Sequence, residues 1–206
     1  MKIELIERCG YSSALLGLGL SYGITSGKTL SEVFDFPFDE GGNDIREKLE
    51  KIAVKLCTRG FGEDKFLRQM VYIWDVQAPR FWWSEADTYK LSTVAQSEST
   101  MHTIMHRHLT VDDFEDGDIL NTTLEYLNNL IDSYRTTKSN EIFFRLKKAL
   151  PEGFLQRRIW SMNLANMKNI YRQRKNHRLP QWKIVCDAFY NETYDFLRGM
   201  YNIKEN

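Results

Sequence analysis

The segment Phe66–His102 has the sequence FLRQMVYIWDVQAPRFWWSEADTYKLSTVAQSESTMH. Its apolar run, Met70–Val76, ends at Ala-Pro-Arg, and three aromatic residues follow directly. Val, Tyr, Ile and Trp favour a strand, and Pro79 can end that strand and serve as the first residue of a helix. We therefore expect a buried strand over Leu67–Val76, followed by a helix.

A cluster rich in hydroxyl and amide groups comes after the three aromatic residues. Its members are Thr88, Tyr89, Lys90, Ser92, Thr93, Gln96, Ser97 and Ser99. Large aromatic side chains next to many hydrogen-bonding groups are typical of a ligand site. We interpret Trp82 and Trp83 as residues of the core or of a subunit interface rather than as groups that stack on a ligand.

Composition indicates one globular domain. The chain has 206 residues, of which 42% are hydrophobic, and we see no linker, so we expect a single domain over residues 1–206. Because 28 basic residues balance 28 acidic ones, net charge gives no reason to expect nucleic acid or a membrane as a partner. The three cysteines lie far apart without a C-x-x-C motif, which favours reduced thiols and a cytoplasmic protein.

Most of the remaining chain has helical periodicity. Strands are expected only at Lys2–Ile6, at Leu67–Val76 and, as a short extended segment or turn, near Leu91–Ala95. The predicted helices are Ser12–Tyr22, Asn43–Thr58, Ser99–His108, Ile119–Tyr134, Glu141–Leu150, Arg158–Arg174 and Gln181–Met200. Residues Gly23–Gly42 are expected to form a loop, and Gly60 a helix C-cap. The fold class predicted is α+β, helix-rich, with a small sheet.

The order of residues after Arg80 resembles one enzyme family, the flavin-dependent thymidylate synthases (ThyX). That family has a strand followed by a helix carrying a Gln and an Arg-His-Arg triplet, then a Ser, an Asn-Glu pair and Ser-x-Arg. Counted from Arg80 without gaps, the triplet falls on Thr88-Tyr89-Lys90 and the Asn-Glu pair on Ala95-Gln96. The Ser-x-Arg falls on Glu98-Ser99-Thr100, so Ser99 matches the family's Ser with a shift of one residue.

The C-terminal half resembles the same family. The family carries a basic residue before Leu-Pro and a helix that opens with Asn-Leu-Arg, with an Arg eleven residues after that Asn. Here Lys147 precedes Leu150-Pro151, Asn163-Leu164-Ala165 opens the matching segment, and Arg174 lies eleven residues after Asn163. The resemblance extends over roughly residues 1–189 and implies the fold of the thymidylate synthase-complementing proteins.

The resemblance implies methylation of dUMP by methylenetetrahydrofolate, with FAD as cofactor, NADPH as co-substrate and a homotetrameric assembly. By position, Lys90, Asn163 and Asn169 match residues that contact the flavin. The matching nucleotide-binding positions are Gln96, Ser97, Lys147 and Arg174, and the catalytic ones are Lys147, Arg174 and Ser99. Cationic side chains suit these roles because phosphate and a developing negative charge on the base both need positive charge.

Several of the family's letters differ in this chain. Thr88 and Tyr89 replace Arg and His of the triplet, Thr100 replaces the Arg of Ser-x-Arg, and Ala165 replaces the Arg of Asn-Leu-Arg. A lysine in place of arginine loses the bidentate fork that binds phosphate. A second hypothesis is therefore a non-catalytic nucleotide-binding or interaction protein of the same fold.

Two weaker patterns suggest other classes of site. Glu98, His102 and His106 are spaced four apart, as metal ligands on one helix face would be, and define a third hypothesis of a helical metal-binding protein. Residues 23–29, with Gly27-Lys28-Thr29, are one residue short of a phosphate-binding loop and follow an apparent helix rather than a strand. We assign no metal site from these patterns.

Overall fold

The computed structural model describes residues 1–34, 42–59 and 62–202. The described residues include four strands, in the order β1-β2-β4-β3 across one antiparallel sheet. The strands are β1 (Lys2–Cys9), β2 (Val71–Pro79), β3 (Thr93–Ser97) and β4 (Leu155–Asn163). The sequence predicts two or three strands, at β1, β2 and near β3, and in the described part of the chain β4 is a further strand that was not predicted.

Helices, α and 3-10 together, contain 58% of the described residues, which confirms the prediction of a helix-rich α+β fold. The α-helices are α1 (Tyr11–Leu20), α2 (Leu30–Phe34), α3 (Gly42–Arg59), α4 (Arg80–Ala86), α5 (Thr100–Thr103), α6 (Asn121–Thr137), α7 (Asn140–Ala149), α8 (Leu164–Arg174) and α9 (Pro180–Glu192). Short 3-10 helices occupy Lys65–Gln69, Val111–Asp113, Glu115–Gly117 and Asp195–Tyr201. Among the described residues, no helix is long and apolar enough to cross a bilayer.

Strand β2 alternates between buried and half-buried residues along its length. Tyr72, Trp74, Val76 and Ala78 are buried on one face, as the two-residue period of a strand requires. The strand begins at Val71 and not at Leu67, because residues Lys65–Gln69 form a 3-10 helix. At its other end the strand continues past the predicted Val76 to Pro79, which is extended and is the N-cap of α4 rather than its first residue. A helix does follow at once, as predicted.

The predicted helix Arg158–Arg174 was wrong in its first third. Residues up to Asn163 belong to β4, which lies between β2 and β3, and α8 begins only at Leu164. The change from strand to helix has a local cause, since Asn163 Oδ1 accepts a hydrogen bond of 2.9 Å from Asn166 N and caps the helix.

Three other predicted boundaries also differ from the structure. Helix α5 ends at Thr103 and not at His108, because the amide of His106 bonds the Thr103 carbonyl in a tight turn. Helix α9 stops at Glu192, and a separate 3-10 helix follows at Asp195–Tyr201. The expected loop 23–42 contains α2, while its residues 35–41, like the expected cap Gly60, lie outside the described residues.

The chain divides into two compact units. The first, unit 1, comprises Met1–Glu4, Asp75–Lys90 and Ala95–Trp160. Its core contains three mutually edge-packed indoles, Trp82, Trp83 and Trp160, with ring centroids 4.8 to 5.9 Å apart. The two adjacent tryptophans are thus core residues, one of the two interpretations made from the sequence.

The second unit, unit 2, comprises Leu5–Trp74, Leu91–Val94 and Ser161–Asn206. Gly10 has φ of 85° and precedes α1, and a Cβ atom added to it would lie 2.0 Å from the Gln69 carbonyl oxygen. Only glycine permits both this backbone conformation and this close approach. Gly10 therefore fixes the start of α1 against the 3-10 helix Lys65–Gln69. The expected single domain over residues 1–206 stays a prediction.

Candidate functional site

Unit 2 contains a cavity of about 950 Å³ between α1, the last turn of α3 and residues 62–69. We call it the unit 2 cavity. Its floor is apolar and buried, built from Ala14, Leu18, Leu56 and Phe66. Small-molecule sites typically enclose ~300–1,000 Å³ and combine apolar walls with a few polar groups, so this cavity has room for a large ligand.

The rim of the unit 2 cavity is mainly basic. Arg59, Lys65 and Arg68 line it, together with a single carboxylate, Glu63, which pairs with Arg59 at 3.4 Å. Among the described residues, Lys65 and Arg68 have no carboxylate partner. The cavity therefore presents uncompensated positive charge above an apolar floor, which suits an aromatic ligand that bears phosphate or carboxylate groups.

Helix α8 carries two of the predicted site residues, Asn169 and Arg174, and a third, Asn163, is its N-cap. The amide of Leu164 bonds the Met70 carbonyl at 2.8 Å, so the start of α8 adjoins the segment that contains Gln69. Arg174 lies eleven residues, about three turns, after the N-cap Asn163, and so is on about the same side of the helix as that cap. Asn169 lies on another face, is exposed, and accepts a bond of 3.1 Å from Gln173.

Arg174 has an aromatic neighbour that sequence reasoning missed. Its guanidinium carbon lies 4.9 Å from the ring centroid of Trp182, which is completely buried at the start of α9. His177 packs against the same indole, and its Nδ1 accepts a bond of 3.2 Å from the Leu179 amide. A guanidinium stacked on an indole is held in a defined orientation, which prepares it to bind a flat anionic group.

Unit 1 contains a smaller cavity of about 350 Å³, the unit 1 cavity. Its polar lining residues include Gln77, Glu98, Thr100, Arg107, Asp113 and Gln156. Arg107 is already engaged by Asp113, to which its Nη1 donates a bond of 2.6 Å. Burial alone would raise the pKa of Asp113, but the bonds from Arg107 and Thr110 together hold that pKa below its usual range.

Lys147 is the predicted catalytic residue that the structure connects to the unit 1 cavity. Its Nζ donates a hydrogen bond to the Thr100 hydroxyl, and Thr100 lines the cavity. Partial burial, and then the charge of the nearby Arg80, lower the pKa of Lys147. The sequence prediction matched Thr100 to an arginine of the family by counting from Arg80. The contact that the structure shows here joins one amino group and one hydroxyl.

The other predicted residues of unit 1 lie before Thr100 along the chain. Gln96 and Ser97 are exposed at the end of β3, an edge strand of the sheet. Ser99 is half-buried at the N-cap of α5, where its carbonyl accepts bonds from the amides of His102 and Thr103. Lys90 is exposed in the connection between α4 and β3. The structure therefore brings Lys147 and Thr100 together, and among the described residues it shows no hydrogen bond or ion pair between Lys90 and either of them.

The metal pattern has no structural support in the described part of the chain. Because α5 ends at Thr103, His106 is not one helical turn beyond His102. The described residues contain no group of three or more His, Cys, Asp or Glu side chains that could hold a metal ion. The segment before Gly23 is helix α1, so residues 23–29 also lack the strand that a phosphate-binding loop follows.

Comparisons with known proteins identify the fold. No family model and no curated protein sequence matches the chain. Among solved structures, a flavin-dependent thymidylate synthase ThyX from Helicobacter pylori, complexed with FAD and dUMP, matches with a TM-score of 0.68. That match covers 99% of this chain and 100% of the other at 12% identity, and a second structure of the same enzyme with FAD and dUMP matches equally well over 98% and 97%. The chain has the fold of the flavin-dependent thymidylate synthases, as the sequence resemblance implied.

Proposed function

We propose that this chain binds FAD and a uridine nucleotide and acts as a flavin-dependent thymidylate synthase-like methyltransferase. The observation that carries the proposal is the unit 2 cavity, whose apolar floor and basic rim fit a ligand with an aromatic ring system and a pyrophosphate. It occurs in a fold in which solved proteins hold FAD and dUMP. Bound FAD, reduced by NADPH, would supply the hydride for methylation of dUMP with methylenetetrahydrofolate.

Each predicted residue has a role in this proposal. In the unit 2 cavity, Lys65 and Arg68 attract the flavin pyrophosphate, and the resemblance adds Asn163 and Asn169 of the same unit. Lys90, in unit 1, is a flavin contact by resemblance alone and is not assigned to this cavity. The Oδ1 atom of Asn163 is used in capping α8, so its amide nitrogen is the group that remains for a ligand oxygen. The resemblance assigns Lys147 of unit 1 and Arg174 of unit 2 each to the nucleotide, and assigns Gln96 and a hydroxyl of Ser97 or Ser99 to orienting the base.

The stacking of Arg174 on Trp182 supports its assignment to the nucleotide. A guanidinium already held on an indole loses less side-chain freedom when it binds an anion. Lys147 contributes a point charge rather than a fork, and its lowered pKa reflects an environment that favours the neutral amine. Nucleotide binding should therefore weaken as pH rises through the pKa of Lys147, because the amine then loses the charge that attracts phosphate.

Assembly and location complete the proposal. By resemblance, the chain forms a homotetramer and works in the cytoplasm. Light scattering coupled to gel filtration measures the mass of the assembly directly. A monomer at micromolar concentration would contradict the proposed tetramer but would leave the assignment of the fold unchanged.

A second candidate is a non-catalytic nucleotide-binding protein of the same fold. Two observations favour it. Thr88, matched by resemblance to the family's first triplet Arg, carries no charge and donates its hydroxyl to the Glu85 carbonyl at 2.7 Å, at the end of α4. Glu98 also places a carboxylate at the unit 1 cavity, which disfavours a phosphate there.

Two measurements on the purified chain separate the candidates. The first is the visible absorbance spectrum before and after incubation with FAD and removal of the excess by gel filtration. A retained flavin band supports the cofactor, and its absence even with dUMP present would refute the flavin proposal. The second is release of methylated nucleotide from dUMP in the presence of FAD, NADPH and methylenetetrahydrofolate. FAD retention without product would favour the non-catalytic candidate.

A further inference from the structure

Helix α8 contains a buried lysine to which sequence reasoning gave no role. The side chain of Lys168 is 6% exposed and its partner, the Asp64 carboxylate, is 17% exposed. Nζ of Lys168 donates to Asp64 Oδ2 at 2.6 Å and to the Cys57 carbonyl at 2.7 Å. An ammonium group is seldom buried unless it is paired, and here it has one carboxylate and one backbone acceptor.

The two acceptors do not line the unit 2 cavity themselves, but each is next in the chain to residues that do. Cys57 lies in the last turn of α3, between the cavity-lining residues Leu56 and Arg59. Asp64 is the N-cap of the 3-10 helix Lys65–Gln69, and its neighbours Glu63 and Lys65 both line the cavity. One ammonium group thus fixes the end of α3 and the start of the 3-10 helix at the same time.

A buried ion pair contributes little net stability to a core. Replacing such a pair by apolar side chains of similar volume is often neutral or stabilising. What a hydrogen-bonded pair adds is a fixed geometry between the segments that it joins. The two hydrogen bonds start from Lys168 on α8, between Asn163 and Arg174, and end on Cys57 and Asp64, which adjoin the cavity-lining residues Leu56, Glu63 and Lys65. They therefore join the helix that carries predicted ligand contacts to the segment that carries the basic rim.

We propose that Lys168 is a positioning residue for the ligand of the unit 2 cavity: through Asp64 and Cys57 it holds Lys65 and Arg68 at the separation from α8 that a bound flavin requires. This inference rests on the proposed FAD site. Lys168 does not touch the ligand. It acts through the segment 64–68, so its loss should change affinity and the geometry of the bound flavin, and not only stability.

The test compares variants of the full chain by FAD titration, by visible circular dichroism of the bound flavin and by urea unfolding. Lys168→Met removes the charge at similar volume, and Asp64→Asn keeps the shape of the partner with a weaker bond. Val185→Ala, at a completely buried position on α9, is the stability-matched control. We expect Lys168→Met to raise the Kd for FAD about tenfold and to alter the flavin dichroism. Val185→Ala should change neither.

The remaining outcomes are also decisive. Asp64→Asn should fall between the wild type and Lys168→Met, and it provides the answer if Lys168→Met does not fold. Lys168→Arg, which keeps the charge, should restore affinity to within about threefold of the wild type. If Lys168→Met and Asp64→Asn lose stability yet bind FAD with the wild-type Kd and dichroism, positioning is refuted and the pair is purely structural. If the wild type itself binds no FAD, the proposed function fails first, and the inference fails with it.

Discussion

Reversing one charge at the rim of the unit 2 cavity should abolish most of its affinity for FAD. Arg68 is exposed and has no carboxylate partner among the described residues, so Arg68→Glu should leave the free energy of unfolding within ~0.5 kcal/mol of the wild type. Losing one charge-assisted hydrogen bond to phosphate costs about 1.5–3 kcal/mol. Repulsion between the new carboxylate and the phosphate adds ~1 kcal/mol at 4 Å in a water-like medium. The sum, about 3 kcal/mol, corresponds to an increase in Kd on the order of 100-fold.

Quenching of FAD fluorescence during titration with protein measures this change. Lys183→Glu is the matched control, because Lys183 is an exposed residue of unit 2 on α9, outside the cavity lining, and its pair with Asp187 is exposed. Raising ionic strength from ~0.1 M to ~1 M shortens the Debye length from ~10 Å to ~3 Å. The Kd values of Arg68→Glu and the wild type for FAD should therefore differ less at high salt. If the wild type binds FAD and Arg68→Glu binds it equally well, the basic rim does not hold the pyrophosphate.

Three further predictions concern stability and reactivity. Trp83→Ala should lower the free energy of unfolding by about 3–5 kcal/mol. Trp83→Phe should lower it by ~1–3 kcal/mol, because the indole nitrogen donates to the Gln156 carbonyl at 2.9 Å and phenylalanine cannot. Equal urea midpoints for Trp83→Phe and the wild type would contradict this. Since the pKa of Asp113 is lowered in the folded state, the unfolded chain takes up this proton first as pH falls. The stabilisation by the ionised Asp113 is therefore complete above about pH 4 and is lost below it. In Asp113→Asn, the urea midpoint should change less with pH in that acidic range than it does in the wild type. A thiol reagent at neutral pH should modify the exposed Cys9 quickly and the other two cysteines only on unfolding, since burial raises the pKa of Cys57 to about 11 and of Cys186 to about 12; three fast thiols would show that the core opens readily.

The sequence was sufficient for the elements that have a strong period or a distinct end signal. Strand β2 was recognisable from its β-branched and aromatic residues, and Pro79 located the start of α4. Strand β4 was missed because Leu155–Asn163 contains adjacent arginines and no clear alternation. Its conformation depends on pairing between two other strands, which is tertiary information. The short α5 was overextended because nothing in residues 104–108 signals a helix stop.

The candidate site was predictable only in part. Family spacing singled out Lys147, and the structure gives it a cavity-lining partner in Thr100. The unit 2 cavity was not predicted, since its walls come from α1, α3 and residues 62–69, which carry no local motif. Its one sequence signal was the glycine content of residues 10–19, of which Gly10 proved to be required by the approach of Gln69. The stacking of Arg174 on Trp182 was not predicted, because the two residues lie on either side of the turn between α8 and α9 and the sequence does not specify the conformation of that turn.

The buried pair of Lys168 and Asp64 constrains how this sequence can diverge. Losing either partner alone leaves an unpaired buried charge, which typically costs about 3–5 kcal/mol, whereas replacing both by apolar residues can be neutral. A lineage that alters these positions one at a time must pass through a protein with much of its stability removed, since whole domains are stable by only ~5–15 kcal/mol. The two positions should therefore change together in descendants of this chain, and a sequence carrying one without the other should contain a compensating substitution close to Cys57.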